Sequence, residues 1–127
     1  MTAIIRAFPG DPASLAEARA WVAGLLAHLP VVDDAVLVVS ELATNALAHT
    51  ASARGGYTVA VRICGPDRLR LSVSDLGSPT PPMLADPDTD TESGRGLRIV
   101  AAITVRWGVC ASHAGRSVWA ELEWKPG

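Results

Sequence analysis

The sequence predicts an α+β fold, a two-layer α/β sandwich with a mainly antiparallel mixed sheet and helices packed on one face. Three observations carry that prediction. The hydrophobic period changes from 3.6 to 2 after residue 56. The later segments pair into hairpins, 57–63 with 68–75 and 104–111 with 116–124, each closed by a short turn. Between the two hairpins lie a long irregular stretch and one more helical pattern, so sheet and helices form separate layers.

Taken in order, AIIRAF (3–8) reads as a short strand stopped by Pro9-Gly10. Residues 14–29 read as a helix, with Ser14 as candidate N-cap, Glu17 as its capping-box partner and Pro30 as its stop. Leu15, Ala18, Val22, Leu25, Leu26 and Leu29 supply its apolar face. A second helix covers 33–50, capped by Asp33 or Asp34 and followed by Arg54-Gly55-Gly56. In the strand 68–75, Leu69, Leu71 and Val73 alternate with Arg70, Ser72 and Ser74, so one sheet face is apolar and the other partly solvated. Residues 78–93 hold four Pro and four acids and read as a long loop. Gly94-Arg95-Gly96 then opens a short helix, LRIVAAI, before the closing hairpin.

The 127 residues suit one domain, 1–127, with one core. A net charge of −2, a single Lys (Lys125) and no basic run argue against direct nucleic-acid binding. No apolar run reaches membrane-spanning length, which argues against a membrane protein. Cys64 and Cys110 lack metal-type spacing and read as free buried thiols, in keeping with a reducing cytoplasmic setting. Asp86, Asp88, Asp90 and Glu92 alternate as in a calcium loop, but Thr91 and Leu97 stand where such a loop needs Gly and Glu. They read as a solvated acidic loop.

The most informative segment is the helix DDAVLVVSELATNALAHT (33–50). It is fit for burial almost throughout, yet Ser40, Glu41, Thr44, Asn45 and His49 form a polar stripe. Glu41, Asn45 and His49 recur at i, i+4 and i+8, on one slowly drifting face. The residues alone leave two readings, a pocket lining or a face that meets solvent and neighbouring backbone. As a pocket lining, Asn45 offers a neutral oxygen suited to Mg²⁺. Glu41, one turn earlier, is placed as a general base, and His49 could approach a phosphate. Asp75 ends a strand, where its carboxylate can accept from an exocyclic amine, and Gly77 would let a flat base come close. Gly94, Arg95 and Gly96 open a helix whose free N–H groups suit phosphate.

In this order and spacing, Glu41-x3-Asn45, Asp75-x-Gly77 and Gly94-x-Gly96 resemble the three boxes of the GHKL ATPase superfamily. SELATNALAHT, VSDLGSPTPP, GRGLRIV and GRSVWAEL resemble its small stand-alone branch, the bacterial anti-sigma-factor serine/threonine kinases. The likeness covers residues ~10–124. It implies the Bergerat ATP-binding fold, ATP and Mg²⁺, with Glu41 as general base and Asn45 as metal ligand. Asp75 would hold the adenine amine beside Gly77, and Gly94, Arg95, Gly96 and Leu97 would contact phosphates. Residues 78–95 would form an ATP lid, and Ser117 could hydrogen-bond near the purine. The implied partners are an anti-anti-sigma (STAS-type) protein and a sigma factor, with homodimerisation left open. Ala48 departs from the basic residue frequent in similar proteins, and the lid is rich in Pro and acid. The chain has no room for the phosphoacceptor hairpin of a sensor histidine kinase. Two functions follow as expectations: a serine/threonine protein kinase, or a nucleotide-gated binding module without significant turnover.

Overall fold

The computed structural model describes residues 3–49, 56–75, 92–112 and 115–125. Their elements are β1 (Ile4–Phe8), α1 (Ser14–Leu25), α2 (Val32–His49), β2 (Tyr57–Gly65), β3 (Arg68–Asp75), α3 (Glu92–Ile103), β4 (Arg106–Ser112) and β5 (Gly115–Glu123). The strands form one sheet in the order β1-β2-β3-β5-β4, antiparallel in every hydrogen-bonded pair. β3 and β4 run the same way, and α3 joins them across the position that β5 fills. The last strand is therefore central, not peripheral.

The alternation in β3 decides the layering. Leu69, Leu71, Val73 and Asp75 are buried on the helix side, whereas Arg68, Arg70, Ser72 and Ser74 face the other way. Val118, Ala120 and Leu122 of β5 and Val59 and Val61 of β2 extend the buried face. α2 lies over β3 between α1 and α3 and contacts all three. That position explains why it is apolar almost all round: Ala35, Val38, Val39, Leu42, Ala43 and Ala46 are all buried. Each Leu or Val so buried contributes roughly 1.5–3 kcal/mol.

Several element ends differ from the sequence reading. α1 stops at Leu25, and Leu26 leaves helical geometry at φ −110°, ψ 14°, four residues before Pro30. Leu26 is buried, so packing ends the helix before proline does. Ser14 lies inside α1, and its N-cap, Ala13, has no side-chain hydrogen bond. Asp11 instead accepts from the Ala13 N–H at 3.0 Å, and the Ser14 hydroxyl reaches Tyr57 at 2.7 Å. Asp33 and Asp34 occupy the first turn of α2, where negative charge suits the helix dipole. Cys64 and Cys110 are free, as expected, but exposed. Cys64 sits at the register shift between Ile63 and Gly65 of β2, and Cys110 pairs with Ser117 on the face away from the helices.

Gly56 immediately precedes β2 at φ +86°, where an added Cβ would collide with the Phe8 carbonyl oxygen. Its absence lets β1 reach Tyr57. Among the described residues no helix is long and apolar enough to cross a membrane. Gly77 and most of the lid expected over 78–95 lie outside the described residues, its final residues being the start of α3.

Candidate functional site

The site grows from the end of β3. After three apolar inward residues, the next inward position is Asp75, which is buried. A carboxylate at that depth needs a charged partner. Arg116 supplies it: its Nε donates to Asp75 Oδ2 at 3.1 Å, with side chains 8% and 2% exposed. Arg116 stands on β5 one step beyond the Ser74–Ser117 register pair, directly beside Asp75. Its Nη2 also donates to Asn45 Oδ1 at 2.8 Å and lies 3.4 Å from the Asn45 carbonyl oxygen. One guanidinium therefore joins α2 to the sheet.

Glu41 is half-buried one turn before Asn45. A Cβ added at Gly96 would lie 2.7 Å from Glu41 Oε2. The bare backbone of α3 at Gly96 thus admits the Glu41 carboxylate between the two helices. Gly96 is itself buried. Three segments distant in sequence meet here: Glu41 and Asn45 on α2, Asp75 on β3, and Gly96 on α3.

The rest of the polar stripe does other things. Ser40 accepts from Arg19 Nη1 of α1 at 3.2 Å. Thr44 Oγ1 donates to the Ser40 carbonyl at 2.7 Å, back-bonding within its own helix. His49 is the last residue of α2, and its side chain lies outside the described residues. Of the stripe, then, Asn45 meets the buried polar centre and Glu41 faces α3.

Beside Asp75 the sheet row continues through its register partner Tyr57 to Phe8. Phe8 stacks on Tyr57 at 5.7 Å between centroids and meets Trp21 edge-on at 6.0 Å. Burial raises the Tyr57 phenol pKa, with the Ser14 hydrogen bond pulling the other way. The phenol stays neutral, and this apolar flank walls one side of the Asp75–Arg116 pair.

Other expected site residues fall differently. α3 begins at Glu92, so Gly94 and Arg95 lie in its first turn and Gly96 and Leu97 beyond it. The N–H groups left unpaired by a helix are those of its N-cap and first three residues, which places Gly94 among the available donors and leaves Arg95, Gly96 and Leu97 outside that set. Leu97 is buried in the core, and the Arg95 side chain lies outside the described residues. Ser117 points to the opposite sheet face, where it accepts from Ser74 Oγ at 3.0 Å. Adjacent strand residues face opposite sides, so the inward neighbour is Arg116. Sequence reasoning missed Arg116, although a signal existed: it is the one charged member of the inward series Arg116, Val118, Ala120, Leu122.

The chain matches the histidine kinase-like ATPase domain family over residues 8–121. It belongs to that family. The expected GHKL-type α+β fold is therefore borne out, and two solved structures share it. The RsbU and RsbW domains of Rv1364c from Mycobacterium tuberculosis match with TM-score 0.72 and 19% identity, over 97% of this chain and 32% of that one. The histidine kinase domain of a blue-light activated histidine kinase from Erythrobacter litoralis matches with TM-score 0.56 and 22% identity, over 87% of this chain and 63% of that one. The chain thus spans about a third of the first and less than two thirds of the second. No curated protein sequence matches it at a significant level.

The donor set fits a nucleotide with Mg²⁺. Asn45 Oδ1 and the Glu41 carboxylate are hard oxygen donors one helical turn apart, and Asp75 is a buried acceptor that Arg116 engages together with Asn45 Oδ1. Among the described residues no three His, Cys, Asp or Glu gather into a protein-only metal cage. A Mg²⁺ ion at Asn45 would complete its shell with phosphate oxygens and water, as this ion commonly does.

Proposed function

We propose that this chain is a cytoplasmic ATP-binding regulatory protein acting as a serine/threonine protein kinase of anti-sigma-factor type. Its substrate would be an anti-anti-sigma, STAS-type protein, and a sigma factor would be a second binding partner. One observation carries the reading: the fold brings Asn45 and Asp75, thirty positions apart, to one buried centre, with Glu41 held against α3 one turn away. Family membership and the RsbW-containing neighbour support it.

In this reading Asp75 accepts from the adenine amine and Asn45 ligates Mg²⁺. Gly94 and Arg95 contact phosphate, Gly94 through its first-turn N–H. A Mg²⁺ ion held at Asn45 would supply positive charge to the phosphate oxygens. Glu41 takes the proton from the partner's serine or threonine hydroxyl. That oxygen bonds to the γ-phosphorus as the bond to the ADP oxygen breaks. Positioning and electrostatics dominate such a transfer.

The test is transfer of label from γ-labelled ATP with Mg²⁺ to purified STAS-type proteins from the host. Label that disappears in Glu41→Ala is the expected result. A second reading, a nucleotide-gated binding module without significant turnover, is favoured by the engagement of Asn45 and Asp75 by Arg116. It predicts that Asp75→Asn abolishes function in the cell while Glu41→Ala leaves it intact.

A further inference from the structure

The two acceptors that the proposed function reserves for a ligand are held by a side chain of the protein itself. Arg116 Nε lies 3.1 Å from Asp75 Oδ2 and Nη2 lies 2.8 Å from Asn45 Oδ1. The guanidinium sits between them and is almost fully buried. We propose that Arg116 competes with nucleotide for Asn45 and Asp75 and thereby sets the affinity of the site. This rests on the nucleotide reading given above.

The argument is steric and electrostatic. A flat base presenting an amine to Asp75 needs the volume beside that carboxylate, and the guanidinium fills the side that faces Asn45. A dication on Asn45 Oδ1 would stand a few ångströms from a fixed positive charge, in a buried setting where screening is weak. Neither half of the ligand settles while the fork is in place. The bidentate planar fork matters, because only a guanidinium spans both acceptors at once. Displacing it from one acceptor releases the other, so the two halves of the site are coupled through one residue. Binding energy of the nucleotide is partly spent on that displacement, and the free protein remains satisfied without ligand.

A purely structural role for Arg116 predicts the opposite outcome on substitution. Losing it would then loosen the site and weaken every ligand. The experiment compares wild type, Arg116→Gln and Arg116→Lys by titration calorimetry, with adenosine and with ATP plus Mg²⁺ as probes. Gln retains one donor for Asp75, and Lys retains the charge without the fork. Adenosine carries no phosphate, so its affinity reports the freed Asp75 without any attraction between phosphate and a cation. The expected result is adenosine binding at least tenfold tighter in Arg116→Gln than in wild type, with Arg116→Lys between. Adding Asp75→Asn to Arg116→Gln should remove that gain. Thermal melts in the same buffers confirm folding and should show a larger ATP-induced rise in Tm for Arg116→Gln. If Arg116→Gln does not melt cooperatively, Arg116→Lys alone decides, by tighter or unchanged adenosine binding.

Equal or weaker adenosine binding in the folded variants, while Asp75→Asn still abolishes binding in wild type, overturns the competition and leaves the nucleotide reading standing. Absence of adenosine and ATP binding in every protein overturns both. Binding that appears only in the Arg116 variants upholds both.

Discussion

The two faces of the sheet each hold a buried carboxylate among arginines, and they differ in what the arrangement permits. On the helix face, Asp75 pairs with Arg116, and that same guanidinium also serves Asn45. On the other face, Glu121 is 5% exposed beneath Arg70 at 3.0 Å and Arg106 at 2.8 Å, with Arg68 at 3.9 Å. Arg70 also lies over the Trp119 ring at 4.1 Å, and Gly108 leaves room for that indole. The outer cluster is redundant: several exposed cations share one anion, and losing one leaves others. The inner cluster is the reverse, one cation shared by two acceptors. Redundant charge on a solvated face gives robustness, whereas one charge shared by two buried acceptors couples them.

The largest expected effect breaks the inner pair. Arg116→Ala should cost about 3–5 kcal/mol of unfolding free energy, because it removes the ion-pair partner of a buried carboxylate. Urea unfolding against Arg106→Ala sharpens the contrast. Arg106 is 62% exposed, and its loss should cost less than ~1 kcal/mol. Equal losses in the two variants would erase the distinction between the faces.

Next comes Glu121. Burial works to raise its pKa, but the hydrogen bonds and charges of Arg106 and Arg70 outweigh it, and the net shift is downward. A carboxyl with a depressed folded pKa contributes stability above its unfolded pKa, about 4.3, and loses it as pH falls through the folded value. The stability of the wild type should therefore decline as pH falls below about 4.3, with part of that decline coming from this group. Glu121→Gln should be less stable at pH 7 and should lack that part of the acid decline. Parallel acid profiles for the two proteins would remove Glu121 from the account.

The smallest effect on stability belongs to Gly96. Its added Cβ would meet the far end of a flexible side chain, Glu41, which can move aside. Ala also gains up to ~1 kcal/mol over Gly inside a helix. Gly96→Ala should leave Tm unchanged or raised while, under the proposed kinase function, cutting phosphoryl transfer by about tenfold or more, since Glu41 would lose its alignment as base. A variant with full transfer would show that Glu41 needs no fixed seat.

Much of this architecture was legible in the chain. The period switch, the two hairpins and the burial of the striped helix follow from residue patterns that packing reinforces. Asp75 stood out because it ends a strand just ahead of Gly77. Less legible were features set by neighbours. The early end of α1 depends on where Leu26 packs, and the start of α3 at Glu92 overrides the Gly94 and Gly96 that weaken a helix locally. Ser117 was expected near the purine through resemblance, yet strand alternation gives the inward place to Arg116. The same alternation, applied to β5 as it was to β3, would have found Arg116. Cys110 was assigned to the interior because thiols usually are, and the solvated sheet face took it instead.

The strand order has a bearing on how the molecule is made. β5 follows every other described element in the chain, yet it inserts between β3 and β4 and carries Arg116 to Asp75. On a ribosome, the β1–β3 half of the sheet emerges with the β3 edge bare, an open template for stray pairing. That edge is covered, and the charge at its end neutralised, by one and the same late strand. Quality control of the nascent chain and assembly of the pocket thus converge on a single docking event, and an intermediate lacking β5 would have neither.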